Sequence, residues 1–470
     1  MGGTAIGSVL PDAEYLVLSS RLVPDLDGGY TIATLSRARQ LAAAGAAGGA
    51  GPLLLTFDPA DAAAHAAHRA TFARREAIAD PSRMRNLFDE AVSAVGGAAA
   101  WVRDAASADL SRGLSGREYR VLRDAEDRPF IALPVIPNDP DWHLTGEPVL
   151  IYDETAQVIG GVAGFRGLYE AWLRDITSAF GDAPIIVICE SRQLGELIAD
   201  WDDPRVRIIH TIHTMHLEAP YTPDATMNAL WTRWFALADR FDAVAWPTRT
   251  QRDDVVARFG DGARNVVIPN AAPARVDGGV SKDTTAVERE QGLVVVLGRL
   301  APGKRVDHSI RAFLAADVPG SRMEIWGGGA EHDALQELID ELGAGSRVML
   351  AGHTDSPGRV LDRASVMVTS TAFEGQGLSI LEALQHDVPV VSYDVRYGPG
   401  DLLRAGGGIL VPDADEAALA DALRLVLTDP ALRARLITEA EVSASAWSAE
   451  RATEALAATV REVLAAPPRR

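Results

Sequence analysis

Two glutamates, Glu374 and Glu382, stand either side of a glycine turn in Thr369-Ser-Thr-Ala-Phe-Glu-Gly-Gln-Gly-Leu-Ser-Ile-Leu-Glu-Ala-Leu384. Gly375 and Gly377 let the backbone turn sharply and approach a ligand closely. A helix beginning near Leu378 would aim unpaired N–H groups and its positive dipole end at that turn, which suits an anion. Carboxylates beside an anion site make sense if they serve neutral hydroxyls, and a nucleotide sugar has that pattern: a diphosphate between two polyols. Upstream, Arg299 and Lys304 flank an Ala-Pro-Gly turn ahead of another helical pattern, a fitting arrangement for two diphosphate oxygens. A third cluster is His210-Thr-Ile-His-Thr-Met-His216, at the end of a strand pattern. Alternation along a strand puts His210 and His213 on opposite faces, so the two cannot both serve one cleft. Any one of the three histidines has a hydrogen-bonded structural role as its default. Without acidic partners nearby they do not make a metal cluster.

The elements that must hold these groups repeat an α/β rhythm. Glu14–Ser19 reads as a strand, Gly28-Gly29-Tyr30 opens a helix to about Ala44, and 52–57 is the next strand. This is the start of a doubly wound domain, whose ligands gather beyond the carboxyl ends of the strands. A helical, alanine-rich pattern broken at Asp80-Pro81 is expected over 61–106. A β-hairpin-rich insertion follows at about 108–164, where short apolar runs are separated by Asp, Gly, Pro and Asn turn signals. Within it, Asp139-Pro-Asp141 reads as a proline turn and not as a metal-binding pair. Strands at 185–189, 206–212, 243–246 and 265–268, with helices at 166–180, 223–239 and 248–259, complete the first domain, 1–275. An aperiodic stretch, 271–291, is expected to link it to a second domain, 276–445. That domain opens on the buried strand pattern Leu293-Val-Val-Val-Leu-Gly-Arg-Leu300 and contains the paired-glutamate stretch. A last helix, within 446–470, is expected to cross back to the first domain.

The chain has 470 residues, a net charge of −20 and one cysteine. The length allows two or three domains, and the charge argues against nucleic acid and against simple adhesion to an anionic membrane. Its apolar runs are too short to span a bilayer and no basic leader precedes the first of them, so a cytoplasmic protein is expected. Cys189, at the end of a strand pattern, reads as a buried small hydrophobe.

Glu374, seven residues, then Glu382, inside Phe-Glu-Gly-Gln-Gly-Leu-Ser-Ile-Leu-Glu-Ala-Leu, resembles the paired-glutamate motif of retaining family-4 glycosyltransferases with the GT-B fold. That resemblance implies two Rossmann-like domains facing a cleft. It also implies transfer of a hexose, glucose or N-acetylglucosamine, from a UDP-sugar to a hydroxyl, with no metal and no other cofactor. In those terms Arg299 and Lys304 hold the donor diphosphate together with Gly375, Gly377 and Leu378. Glu374 orients the sugar hydroxyls, Glu382 accepts from both ribose hydroxyls, and His213, or failing it His216, meets the sugar. Gly29 matches the N-terminal glycine loop, and His353 sits where the family holds the base through backbone atoms. Tyr393-Asp394, two residues, then Tyr397-Gly-Pro resembles the branch that modifies poly(glycerol phosphate) or poly(ribitol phosphate) wall teichoic acid, whose members carry a similar insertion. On that match Arg396 and Tyr397 are expected to face the acceptor polymer, the product is an α-linkage, and the insertion could mediate homo-oligomers. Two alternatives are a glycosyltransferase for Ser/Thr of a secreted adhesin and a non-catalytic GT-B partner subunit.

Overall fold

The computed structural model describes residues 9–26, 28–111, 118–271 and 289–470. The expected linker, 271–291, and the domain boundary within it lie outside the described residues except at the linker's ends.

Strands Glu14–Ser19 (β1), Leu53–Thr56 (β2) and Met84–Asn86 (β3) open the first domain. Tyr119–Arg123 (β4), Pro129–Pro134 (β5), Val149–Tyr152 (β6) and Val158–Val162 (β7) then form an antiparallel sheet of their own. The chain returns through Ile185–Cys189 (β8), Val206–Thr211 (β9), Ala243–Trp246 (β10) and Asn265–Val267 (β11). These complete a parallel sheet of order β11-β10-β9-β8-β1-β2-β3. Its central strands, such as Ile-Ile-Val-Ile-Cys in β8, are buried along their whole length because helices cover both faces. Cys189 lies in that core, fully buried, with its thiol donating to the Ser191 carbonyl at 3.3 Å.

The second domain runs through Leu293–Leu297 (β12), Arg322–Trp326 (β13), Val348–Gly352 (β14), Val366–Thr369 (β15), Val390–Tyr393 (β16) and Gly408–Val411 (β17). Its parallel order is β14-β13-β12-β15-β16-β17, with apolar clusters on both faces. Two doubly wound parallel sheets are the α/β architecture expected from the sequence. The last helix, Ala449–Leu464, buries Leu456, Ala457, Val460 and Val463 in the apolar cluster under β1, β8 and β10 of the first domain. Each large apolar side chain so buried contributes about 1.5–3 kcal/mol as an upper figure. Beyond it, the Arg470 guanidinium meets Asp242 at 2.6 Å.

Two expected helices are corrected. The alanine-rich pattern over 61–106 is a long helix only across Ala62–Arg74, capped by Asp61, whose carboxylate accepts from Ala64 N at 2.7 Å, and two short helices follow at Leu87–Glu90 and Ala100–Ala105. Asp80-Pro81 ends that pattern, and Met84–Asn86 pairs in parallel with β2 as an edge strand because alternation buries Met84 and Asn86. The expected helix at 223–239 shrinks to Ala229–Phe235, where Asn228 accepts from Trp231 N at 3.1 Å and so sets the start. Asp139 and Asp141 do form a turn: Asp141 N donates to the Asp139 carboxylate at 2.8 Å, and Asp141 pairs with Arg233.

Candidate active site

The glycine turn after β15 leads into the helix Leu378–Gln385. Gly377 caps it at φ +90°, a left-handed conformation that side chains rarely adopt, so glycine is required there. The carbonyl of Gly377 already accepts from Ile380 and Leu381, leaving the first N–H groups of the helix for a ligand. The loop is held from behind. Glu374 N donates to the Arg396 carbonyl at 3.2 Å, Tyr397 N donates to the Glu374 carbonyl at 3.0 Å, and a Cβ on Gly398 would sit 2.0 Å from the Gln376 carbonyl.

Lys304 ends a tight turn, Pro302–Lys304, whose Gly303 carbonyl accepts from Ala372 N at 2.8 Å and from the Thr371 hydroxyl at 3.2 Å. That pinning delivers the Lys304 ammonium onto the Glu374 carboxylate, with which it forms an ion pair. Arg299, at the end of β12, is exposed and makes no ion pair with the described residues. A positive charge paired with a carboxylate and a second one left open therefore flank the Pro302–Lys304 turn.

From the first domain, Gly29 starts the helix Gly29–Ala43, and a Cβ built on it would lie 3.5 Å from Leu378 Cδ1. The two glycine-led helix starts thus face each other across the cleft. Gly375 is pressed still harder against the first domain: a Cβ there would meet the His213 carbonyl oxygen at 2.3 Å. His213 is the histidine that reaches the cleft. Its Nε2 lies 2.6 Å from Glu190, its side chain is 12 % exposed, and the Tyr30 ring meets it edge-on at 5.2 Å.

The other two histidines are core residues. His210 is fully buried, accepts from Trp234 Nε1 at 3.3 Å, and is pushed down to about 3 chiefly by burial. His216, the second choice for the sugar, is corrected: it packs among Trp231, Phe235, Trp246 and Tyr397, and burial pushes it down to about 4. A neutral ring walled in by aromatics has no path to a donor sugar.

Tyr397 is likewise corrected, whereas Arg396 keeps a part-exposed side chain. Tyr397 is 1 % exposed in an apolar cluster with Met215, Leu217 and Ala225, and Arg396 reaches across to Asp254 at 2.9 Å. Their backbones brace the Glu374 loop, so the Tyr-Gly-Pro segment supports that loop and Tyr397 presents nothing to a polymer. Glu382 lies one turn into its helix without a hydrogen bond to the described residues, and burial alone pushes its carboxyl up to about 7. His353 is exposed and stands apart from the glutamate loop, 3.6 Å from Asp25 and 3.4 Å from Asp355. Asp25, His353 and Asp355 are close enough to hold a cation, but the Arg75 guanidinium already contacts Asp25 at 2.8 Å and Asp355 at 3.0 Å.

The site also uses residues that local patterns do not mark. Glu190 follows β8 directly and is buried against Arg37, whose Nε donates to it at 2.7 Å. Arg37 Nη2 donates to the Asn270 side chain at 2.9 Å. Gln376, from the glutamate loop, grips the Asn270 backbone at both N–H, 2.9 Å, and C=O, 2.8 Å. An acidic residue ending a buried parallel strand beside the histidine strand was the available signal for Glu190.

Two parallel doubly wound domains that meet across opposed glycine-led helix starts define a GT-B protein. Residues 281–442 match the family of group 1 glycosyl transferases. It is 27% identical over 217 residues to a poly(glycerol-phosphate) alpha-glucosyltransferase of Bacillus subtilis, covering 46% of this chain and 32% of that protein. It is 33% identical over 254 residues to an exopolysaccharide phosphotransferase of Streptomyces coelicolor, covering 53% of this chain and 25% of that protein. A third relative is the GtfA subunit of a UDP-N-acetylglucosamine–peptide N-acetylglucosaminyltransferase from Streptococcus agalactiae, 26% identical over 240 residues, 49% of this chain and 46% of that protein. The chain thus spans less than half the length of each of these relatives. In three dimensions it resembles a mutant of S. aureus TarM in complex with fondaparinux, alpha-GlcNAc-glycerol and UDP, with TM-score 0.71, 17% identity, and 95% and 99% of the two chains covered. Among the described residues no helix is long and apolar enough to cross a membrane.

Proposed function

We propose that this chain transfers a hexose, glucose or N-acetylglucosamine, from a UDP-sugar to a hydroxyl of a teichoic acid-type poly(polyol phosphate), with retention of anomeric configuration to give an α-linkage. The observation that carries the reading is the Lys304–Glu374 pair at the start of the helix Leu378–Gln385, with Gly29 and His213 directly opposite. Departure of the diphosphate builds negative charge on its leaving oxygen. Lys304, Arg299 and the open N–H groups at Leu378 neutralise that charge as it forms, the kind of stabilisation that supplies the largest share of many rate enhancements. Charge supplied in this way leaves no step that needs a metal. When the phosphate takes the Lys304 ammonium, the Glu374 carboxylate is released to accept from sugar hydroxyls, so the two exchange partners together. Glu382 receives the ribose hydroxyls, and attack from the leaving-group face retains configuration. The teichoic acid acceptor is supported by the Bacillus relative and by the alpha-GlcNAc-glycerol and UDP of the TarM complex. The same reading places the protein in the cytoplasm with its donor and makes the β4–β7 sheet a surface for self-association.

The peptide-modifying GtfA relative supports a second acceptor, serine or threonine hydroxyls of an adhesin. Labelled UDP-glucose and UDP-N-acetylglucosamine, each offered with poly(glycerol phosphate), poly(ribitol phosphate) and a serine-rich peptide, separate these readings. Label in the polymers, released as an α-anomer, is expected; label in the peptide alone moves the acceptor to the adhesin. Neither transfer nor donor hydrolysis with any acceptor would leave a non-catalytic partner subunit.

A further inference from the structure

Glu190 is a buried carboxylate with both oxygens engaged. Oε1 accepts from Arg37 Nε at 2.7 Å; Oε2 lies 2.6 Å from His213 Nε2 and also accepts from the Thr211 hydroxyl. Burial favours its neutral form, but the Arg37 charge and the contact with His213 outweigh that and hold it down at about 2. An ionised carboxylate has no proton to give, so every group facing it must donate. His213 Nε2 therefore carries hydrogen, and a neutral imidazole has only one N–H to place. In that neutral ring Nδ1 keeps a bare lone pair, and Nδ1 makes no hydrogen bond to the described residues. The ring is confined as well: Tyr30 meets it edge-on and Gly375 closes over the His213 carbonyl.

Resting on the hexosyl transfer read above, we propose that Glu190 is a positioning residue for that reaction, fixing His213 as the Nε2–H tautomer so that Nδ1 accepts a hydrogen bond from a hydroxyl of the donor sugar. Arg37 keeps Glu190 in place, and Asn270 with Gln376 ties Arg37 to the loop that carries Glu374. The orientation of the ring in the first domain is thereby linked to the seating of the glutamate loop from the second. An Arg37–Glu190 pair that served only to fill the core would set the same tautomer, but turnover would not depend on it, and this separates the two roles.

The test reads the ring itself. Histidine-labelled protein without donor, examined by long-range nitrogen–carbon NMR near neutral pH, is expected to show His213 as the Nε2–H tautomer. In Glu190→Gln the amide can turn either its oxygen or its NH2 to the ring, so the preference is expected to be lost. With UDP-glucose and UDP-N-acetylglucosamine, Glu190→Gln should lower kcat about 10- to 100-fold, the loss that removing the outer partner of a metal-bound histidine brings, while UDP affinity stays unchanged. A wild-type ring found as Nδ1–H or doubly protonated overturns the proposal even if Glu190→Gln does not fold. So does a folded Glu190→Gln with an unaltered tautomer and turnover. The spectrum needs no donor. A wild type inactive on every donor therefore sinks the transferase reading and the positioning role with it, whereas a wrong tautomer in an active enzyme sinks this proposal alone.

Discussion

Gly375→Ala isolates the contact on which the cleft depends. The backbone of Gly375 is not left-handed, so alanine costs nothing in conformation and the whole effect is steric. The added Cβ would sit 2.3 Å from the His213 carbonyl oxygen, 2.8 Å from its carbon and 3.2 Å from Thr214 N. All three are backbone atoms, which cannot swing aside as a side chain end could. Reaching ordinary van der Waals separation requires a retreat of roughly 1 Å. The retreat must either move the Glu374 loop away from Lys304 or move His213 away from Glu190. A misplacement of about 1 Å between reacting groups costs about 100-fold in rate, or about 2.7 kcal/mol of transition-state stabilisation. Steady-state release of UDP from each UDP-sugar should show that loss in kcat/KM. UDP affinity by calorimetry should fall much less than kcat/KM, because Arg299 and the helix start are untouched. Gly345→Ala is the matched control, since a Cβ there meets nothing within 4 Å. Wild-type kcat/KM in Gly375→Ala would show that catalysis does not need the His213 contact, and the placement of the cleft would be wrong.

Removing the cation that pairs with Glu374, by Lys304→Ala, should lower kcat about 100- to 1,000-fold with a much smaller effect on sugar selectivity; unchanged turnover in a rapid-quench assay would remove Lys304 from the leaving group. Glu382 has a carboxyl raised by burial to about 7, so its ionisation opposes folding increasingly from pH 4.5 up to about 7 and no further above. Thermal unfolding should show Glu382→Gln gaining on the wild type across that window, and a constant difference would contradict it; on the proposed ribose role, UDP binding should tighten over the same window only in the wild type. Burial disfavours the charge on His65, but hydrogen bonds to Asp58 and Asp89 outweigh it and raise the ring to about 9. Its contribution to stability is complete below about 6.5 and is lost as pH rises through about 9, so denaturant midpoints should fall over that range in the wild type and not in His65→Gln.

What could be read from the chain was local. Glycine before an apolar period of 3.6 announces a helix start at Leu378 and at Gly29, and Gly-Arg-Leu-Ala-Pro-Gly-Lys announces the turn that carries Lys304. These signals lie within a few residues of what they predict, so nothing distant could overrule them. The edge strand Met84–Asn86 was hidden because three residues carry no period, and only its pairing with β2 makes it a strand. The Tyr-Gly-Pro segment misled for a related reason. A polar, aromatic motif after a strand has the composition of a binding loop, whereas its neighbours across the cleft decide that Tyr397 is buried and Arg396 is taken by Asp254. Glu190 shows the same limit at the site itself. It is 153 residues from Arg37 and 23 from His213, and the sheet order that sets β8 between β1 and β9 brings the three together. Alternation along β9 bears on only one histidine, His210, which turns into the core. It could not extend to His213 or His216, which lie past the strand's end at Thr211, where a period of two no longer applies and packing decides.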